Sequence, residues 1–334
     1  MKKILTLGLA AAMVLSMGAA VSAKTDDSLY PVGAISDSAY LYDSDTSAVD
    51  LSQSVESVAY GKTVYYPLLN KSDASDPFNY VYESDAVSGI KVKSSWDMNG
   101  KLVKGVEVAK KKVTGEAQKY IYFVAVTLAE SNSTSSVDVV GTVEMRKSGS
   151  FDYEDMQLDV NLEVAYPVAT DTVITEDPQL FKEGTGFIGD SEEEFTFECD
   201  DDSFFTVNTV GQSKLLLSAT TDFDSKIADL YPDANLNFFY GNGATFNKTG
   251  VLTLAAEEGS YLYQLKDGAM VRVNAEYDEY DEAFIIKTKT LGQYIISDTA
   301  LKIVNVPGNG SNNNNNGGSG SNGGTSNPST GAAL

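Results

Sequence analysis

The sequence lacks histidine altogether and contains one cysteine and one tryptophan in 334 residues. Without histidine, a Ser-His-Asp triad, the commonest general base and the usual zinc ligands are excluded. The single cysteine, Cys199, cannot form a disulfide within the chain, and we expect a buried, unreactive side chain. Acidic residues could still catalyse glycoside hydrolysis in pairs, but no spacing marks one pair among the 47 of them. The sequence therefore favours a protein that is not an enzyme.

Basic residues are also scarce, with 24 Lys and Arg against 47 Asp and Glu and a net charge of −23. A surface so acidic excludes nucleic acids and anionic membranes as good partners. The stretch from Lys91 to Lys119 is an exception, because its eight lysines outnumber three acidic residues. Lys110, Lys111 and Lys112 could bind an anionic wall polymer or an acidic neighbouring molecule. Alternatively, they protect an edge strand from pairing with another sheet.

Nucleotide-binding loops are incomplete in this chain. Gly61-Lys62-Thr63 ends like a phosphate loop, but Glu56 stands where the first glycine belongs and a strand pattern follows. Gly241 and Gly243 are not followed by the third glycine of a dinucleotide fingerprint. We therefore predict turns at both places.

Calcium is the one cofactor left open, because acidic extracellular sandwiches bind it through carboxylate and carbonyl oxygens. The segment that begins at Asp43 resembles the start of an EF-hand loop. However, Ala48 stands in place of the required glycine and Ser54 in place of the final glutamate. Acidic runs are usually exposed and solvated, so we expect no cofactor. The candidate ligands are Asp43, Asp45, Ser47, Asp50, Glu198, Asp200, Asp201, Asp202 and the run from Glu276 to Glu282.

Tyrosine is abundant, with 19 residues. Exposed aromatic rings can stack on sugars, which would suit a carbohydrate-binding module, but tyrosine is also a favoured strand residue. Period-two alternation explains most of these tyrosines without a ligand. The clusters in question are Tyr60, Tyr65, Tyr66, Tyr80 and Tyr82, and Tyr261, Tyr263, Tyr277 and Tyr280.

Strand patterns dominate the middle of the chain. Residues 158–164 alternate apolar and polar side chains, which predicts one buried face, and residues 119–128 are apolar on both faces, as in a central strand. Asn99-Gly100 and Asp267-Gly268 predict hairpin turns. We therefore predict an all-β fold of two antiparallel β-sandwich, Ig-like modules. One short helix is expected in the second module, capped by Asp222 or Asp224 and ending at Pro232.

The ends of the chain predict export. Lys2 and Lys3 precede an apolar run from Ile4, and small residues lead to a cleavage site between Ala23 and Lys24. A retained membrane anchor is the alternative, but with cleavage we expect no membrane span in the mature chain. The expected organisation is a signal peptide over 1–23, sandwich modules over 24–167 and 183–305, a linker over 168–182, and an Asn/Gly/Ser stalk over 306–334.

The stalk contains Asn327-Pro328-Ser329-Thr330-Gly331, which resembles the N-P-x-T-G sorting signal of Gram-positive surface proteins. In that family a sortase cleaves between threonine and glycine and joins the threonine to the wall. The family also places an apolar span and a basic tail after the signal, and neither follows here before Leu334. Thr290 to Asp298 likewise resembles the closing strand of small modules that repeat in bacterial surface proteins.

These resemblances imply a noncatalytic, extracellular protein, either secreted or associated with the cell wall. Its expected partner is a wall component or another extracellular ligand, a glycan or a protein. A carbohydrate-binding module or a carboxylate-type glycoside hydrolase is the alternative.

Overall fold

The fold is built almost entirely from β-strands, which confirms the predicted all-β class. Two α-helices of one turn each are present among the described residues, and the strand pairs whose register is described are antiparallel. The computed structural model describes residues 32–70, 79–115, 119–147, 156–189, 194–199, 202–266 and 268–303.

The chain divides into two compact units. Unit 1 comprises the residues up to Ala129 together with Asp138–Glu163, and unit 2 comprises Glu130–Val137 together with the residues from Val164 onward. The elements of unit 1 are β1 (Val32–Ile35), β2 (Tyr40–Asp43), β3 (Ala48–Val49), β4 (Ser57–Val58), β5 (Thr63–Asn70), α1 (Ser84–Val87), β6 (Lys91–Met98), β7 (Val103–Lys112), β8 (Tyr120–Leu128), β9 (Val137–Arg146) and β10 (Met156–Val164).

Unit 1 contains a six-stranded and a four-stranded sheet. The first has the order β3-β2-β5-β8-β7, with β1 also paired to β5, and the second has the order β4-β10-β9-β6. A parallel bridge between Val49 and Val113 joins β3 to the end of β7 and so brings the two outer strands of the first sheet together. As predicted, β8 is a central strand, buried on both faces. Strand β10 buries alternate residues, also as predicted, so the second sheet contributes one apolar face.

The prediction of a hairpin at Asn99-Gly100 is wrong. Strand β6 pairs with β9 and β7 pairs with β8, so the two strands belong to different sheets. Asn99 does adopt a left-handed conformation, with φ of 51°, but a 3-10 turn over Gly100–Leu102 follows it. Asn99-Gly100 does produce a tight turn, but the partner of β6 lies in a more distant part of the chain.

Unit 2 is a β-sandwich with an additional two-stranded sheet. Its sheets have the orders β11-β14, β12-β13-β17-β21-β20 and β15-β16-β22-β18-β19. The elements are β11 (Gln179–Lys182), β12 (Glu194–Glu198), β13 (Phe204–Asn208), β14 (Lys214–Leu217), β15 (Ala219–Thr220), α2 (Ser225–Ala228), β16 (Leu236–Gly241), β17 (Thr245–Ala255), β18 (Tyr261–Lys266), β19 (Ala269–Val273), β20 (Glu276–Asp278), β21 (Ala283–Thr290) and β22 (Gln293–Ser297).

The main core of unit 2 lies between its two five-stranded sheets. Phe205 and Leu252 from one sheet and Phe239 and Ile296 from the other belong to a single buried apolar cluster. Strands β18 and β19 pair from Lys266 and Ala269 onward, which confirms the predicted hairpin around Asp267-Gly268. Strand β22, the last described strand, lies in the centre of its sheet between β16 and β18.

The predicted helix is present as α2, in a shorter form. Asp224 is its N-cap, and the carboxylate accepts hydrogen bonds from the N–H groups of Lys226 and Ile227 at 2.9 and 3.2 Å. Ile227 packs with Phe238 in an apolar cluster on the outer face of the second five-stranded sheet. Helix α1 in unit 1 was not predicted, since it is one turn long and buries only Ala86.

Residues 168–182, for which the sequence indicated a linker, form part of unit 2. Ala169 and Ile174 are buried in its main core, and β11 pairs with β14. Val168 and Val173 form isolated bridges with Leu180 and Glu198. The two prolines near this segment therefore interrupt the alternation of the sequence without separating the segment from the sandwich.

None of the helices in the described residues has the length and apolar character needed to cross a membrane.

Candidate functional site

The lysine-rich stretch forms one continuous feature of unit 1, which we call the basic edge. Strand β6 ends the four-stranded sheet and β7 ends the six-stranded sheet, and the Asn99–Leu102 segment connects them. Most of these lysines are exposed. The basic edge consists of Lys91, Lys93, Lys101, Lys104, Lys110, Lys111, Lys112 and Lys119.

Tyrosine rings lie among the predicted lysines of the basic edge. The ammonium group of Lys110 is 5.0 Å from the centre of the Tyr122 ring, its direct neighbour on β8. On the opposite face of β7, Lys111 lies 5.8 Å from the rings of both Tyr42 and Tyr65. Such cation–π contacts hold the lysines along the strand and leave their charges unneutralised.

The other lysine contacts also leave much of the positive charge available. Lys112 donates a hydrogen bond to the carbonyl oxygen of Thr46 at 3.1 Å, so its charge is not paired with a carboxylate there. Lys93 forms an ion pair with Glu144 at 3.0 Å, and 54% of the Lys93 side chain is exposed. The Glu144 carboxylate is only 19% exposed, so Lys93 is an exception whose charge is paired. The basic edge therefore presents several cationic groups with aromatic surface beside them.

The two interpretations of these lysines are compatible with the position of β7. Strand β7 is an end strand, where lysine commonly prevents pairing with another sheet. The Val49–Val113 bridge, however, already covers the far end of this strand. Because β6 and β7 are both end strands, edge protection applies to the lysines of each, except at the bridged end of β7.

The segment that resembles an EF-hand loop begins at the end of β2, continues through the turn to β3, and includes Asp50, which directly follows β3. The Asp43 carboxylate accepts hydrogen bonds from the Asp45 N–H and the Thr46 hydroxyl, each at 2.9 Å. Asp50 accepts from the Ser52 N–H at 2.9 Å, which together with the Ser52 and Thr114 hydroxyl groups holds its pKa below the ordinary value. Both carboxylates are thus engaged in stabilising local turns.

The second acidic run, from Glu276 to Glu282, continues from β20 into a turn. The Asp278 carboxylate accepts the N–H groups of Tyr280 and Asp281 at 2.8 and 3.1 Å. Across the described ranges, no group of three or more acidic or cysteine side chains is placed to hold a metal ion. Asp200 and Asp201 lie outside those ranges.

A cavity of about 530 Å³ in unit 2 places Glu198 and Asp202, two of the candidate calcium ligands, beside acidic residues that the sequence did not connect with them. Glu198 and Asp202 come from the β12–β13 region, whereas Glu176 and Asp222 come from distant parts of the chain. Cys199 also lines this cavity, although the residue is buried, as predicted. Only the sandwich packing joins these residues, so no local motif could indicate the cavity. We call it the acidic cavity.

The tyrosine clusters do not form an exposed row in the described residues. Tyr60, Tyr65, Tyr66 and Tyr80 are buried, and Tyr263 is 1% exposed. Tyr280 is 93% exposed but lies in the turn after β20. Burial raises the pKa of Tyr66, and burial together with the nearby Asp224 carboxylate raises that of Tyr240. These phenol groups stay neutral and serve mainly to pack the core.

Gly61 lies in a turn, as predicted, and has a positive φ, two residues before β5 begins at Thr63; Gly243 also has a positive φ and follows Gly241, the last residue of β16. The proposed signal cleavage site at Ala23 and Lys24 lies outside the described residues. So does the sorting motif formed by Asn327, Pro328, Ser329, Thr330 and Gly331.

No protein-family model, curated protein or solved structure matches this chain. The basic edge and the acidic cavity are therefore the features from which a function can be inferred.

Proposed function

We propose that this chain is a noncatalytic, exported surface protein whose basic edge binds an anionic polymer of the cell wall. The supporting observation is the concentration of eight lysines in one stretch of a chain with a net charge of −23, six of them on the end strands β6 and β7. Ammonium groups attract the phosphate or carboxylate groups of such a polymer, and the exposed Tyr42 ring beside Lys111 offers surface to its sugar units. The acidic remainder of the protein would repel the polymer and so favour binding at this edge.

Replacing Lys110, Lys111 and Lys112 with serine tests this function. If each lysine near an anionic surface contributes on the order of 1 kcal/mol, the triple variant should bind a purified wall fraction at least about tenfold more weakly. Binding by the unmodified protein should also decrease as salt is added, because salt screens exposed charges. Sedimentation with the wall fraction at several salt concentrations measures both effects.

The matched control replaces Lys248, Lys266 and Lys287, which are exposed lysines of unit 2, with serine. This variant undergoes the same change in net charge and should retain its binding. Equal binding by the unmodified protein and both variants would refute the proposed role of the basic edge.

Export and attachment are also proposals, based on the signal peptide and the sorting motif. We expect mass spectrometry of the native producer to find a mature N-terminus at Lys24 and a peptide that ends at Thr330 joined to wall material. An intact C-terminus in the medium would instead indicate a released protein. Retention of residues 1–23 in the membrane fraction would contradict cleavage.

A carbohydrate-binding or glycosidase function remains the second candidate, and the acidic cavity is the observation that favours it. Glycoside hydrolysis needs two carboxyl groups on either side of the scissile bond, and this cavity is lined by four acidic residues. Release of reducing sugar from a neutral glycan, abolished by Glu198→Gln but not by the Lys110–Lys112 substitutions, would favour this function over the first.

A further inference from the structure

The second five-stranded sheet of unit 2 has an open edge along the first half of β16. Strand β15 pairs with β16 only through Thr220 opposite Tyr240 and Ala219 opposite Gly241. Beyond Thr220 the chain leaves the sheet and begins α2 at Ser225. Within the described part of the chain, residues 236–239 therefore have a neighbouring strand, β22, on one side only.

Hydrogen bonds at both ends of β16 define which backbone groups face the open side. The Gly241 N–H donates to the Gly292 carbonyl oxygen at 2.9 Å, so the odd-numbered residues of β16 face β22. The Asn242 N–H donates to the Ser218 carbonyl oxygen at 3.0 Å, so the even-numbered residues face the side of β15. Because backbone groups alternate along a strand, the N–H and C=O of Phe238 and Leu236 point to the open edge.

The Phe238 backbone is placed to pair with a further strand. Phe238 is only 4% exposed, and no hydrogen bond of its N–H or C=O to another described residue occurs on that side. Buried backbone groups nearly always find a hydrogen-bond partner. The continuation of β15 would have supplied one, but Asp222 turns away and its own N–H donates to the Thr220 hydroxyl at 3.1 Å.

A cavity of about 350 Å³ opens beside these backbone groups, and we call it the apolar cavity. Apolar side chains line it from both five-stranded sheets, Phe239 and Ile296 from one and Leu254 from the other, beside the polar residues Ser203, Thr221 and Asn237. Phe223 lies at the same cavity, is 70% exposed, and contacts the Phe238 ring edge-to-face at 5.7 Å. This space can accept the apolar side chain of a strand that is added next to β16.

The acidic cavity lies close to the same segment of chain. Thr220 and Asp222 line the acidic cavity, whereas Thr221 and Phe223 line the apolar one. A strand added beside β16 would thus have apolar surface and carboxylate groups within a few residues of each other. Charge complementarity favours lysine or arginine near its apolar residue.

We propose that the open edge of β16 binds an extended segment of a partner polypeptide by addition of a strand. The backbone of that segment exchanges hydrogen bonds with Phe238, one apolar side chain fills the apolar cavity, and a neighbouring basic side chain faces the acidic cavity. This site lies in unit 2 and acts independently of the basic edge in unit 1.

A phage-displayed library of random peptides, selected on the full chain, provides the probe. We expect enriched peptides to carry an apolar residue next to a lysine or arginine. N-methylation of the peptide amide opposite Phe238 should weaken binding at least about tenfold, because it removes a backbone donor. Hydrogen exchange of the Phe238 amide should slow when the peptide is bound.

Two tryptophan substitutions on β17 complete the test. Ala255→Trp fills the mouth of the apolar cavity and should abolish peptide binding, whereas Thr245→Trp, at the exposed far end of the same strand, should not. Unchanged binding to the Ala255→Trp variant, or selected peptides that tolerate every N-methyl group, would overturn the proposal. Protection of Phe238 that depends on protein concentration alone would contradict it too, because the occupant would then be a second copy of this chain.

Discussion

Replacing Phe246 with alanine should lower the free energy of unfolding of unit 2 by about 3–5 kcal/mol. The Phe246 ring is 2% exposed and lies 4.8 Å from the Phe205 ring and 6.0 Å from the Phe197 ring, measured between ring centres. Alanine would remove apolar surface from the main core and leave a cavity that neighbouring side chains fill only partly. Urea denaturation followed by circular dichroism measures the change.

Phe223→Ala is the matched control for this prediction. Phe223 belongs to the same unit but is 70% exposed, so its removal should cost less than about 1 kcal/mol. If the two substitutions lowered the free energy of unfolding equally, Phe246 would not belong to the main core.

Gly241→Ala should be the second strongly destabilising substitution, with an expected cost of about 2–4 kcal/mol. A Cβ atom at this position would lie 2.5 Å from the Leu291 carbonyl oxygen and 2.7 Å from its carbonyl carbon. These are backbone atoms held by hydrogen bonds: the Leu291 oxygen accepts the Gly243 N–H at 2.8 Å, and the Leu291 N–H donates to the Ala244 oxygen at 2.9 Å. The clash can be relieved only by separating β16 from the chain around Leu291.

Gly105→Ala supplies the comparison, because a Cβ atom at Gly105 meets no other atom within 4 Å. This variant should differ from the unmodified protein by less than about 1 kcal/mol. A Gly241→Ala protein that unfolds at the same urea concentration as the unmodified protein would show that the two backbone segments can move apart freely.

The strands were predictable where the pattern of burial is local. Alternation identifies β10, and a run that is apolar on both faces identifies β8. In each case the polarity of the strand's own side chains shows which of its faces are buried. The cap of α2 was predictable for a similar reason, since Asp224 bonds to N–H groups only two and three residues away.

The partners of the strands were not predictable in the same way. Asn99-Gly100 has the chemistry of a hairpin turn, yet β6 pairs with β9, tens of residues further along the chain, and β7 pairs with the next strand, β8. The lysines of the basic edge were visible in the sequence, but their position on two end strands depends on that same pairing. The open edge of β16 depends on where β15 stops, which no short motif marks.

Each unit is built from two separate segments of the chain, and this arrangement limits the order in which the units can fold. Residues 130–137 belong to unit 2, although residues 138–163 return to unit 1. During synthesis from the N-terminus, residues 130–137 of unit 2 therefore appear before β9 and β10, which the four-stranded sheet of unit 1 requires. Unit 1 cannot be finished by the time Ala129 appears, and a fragment cut at that point would lack two strands of its sandwich. Folding of unit 1 must wait for contacts distant in sequence, which predicts slow folding and a long-lived incomplete sheet.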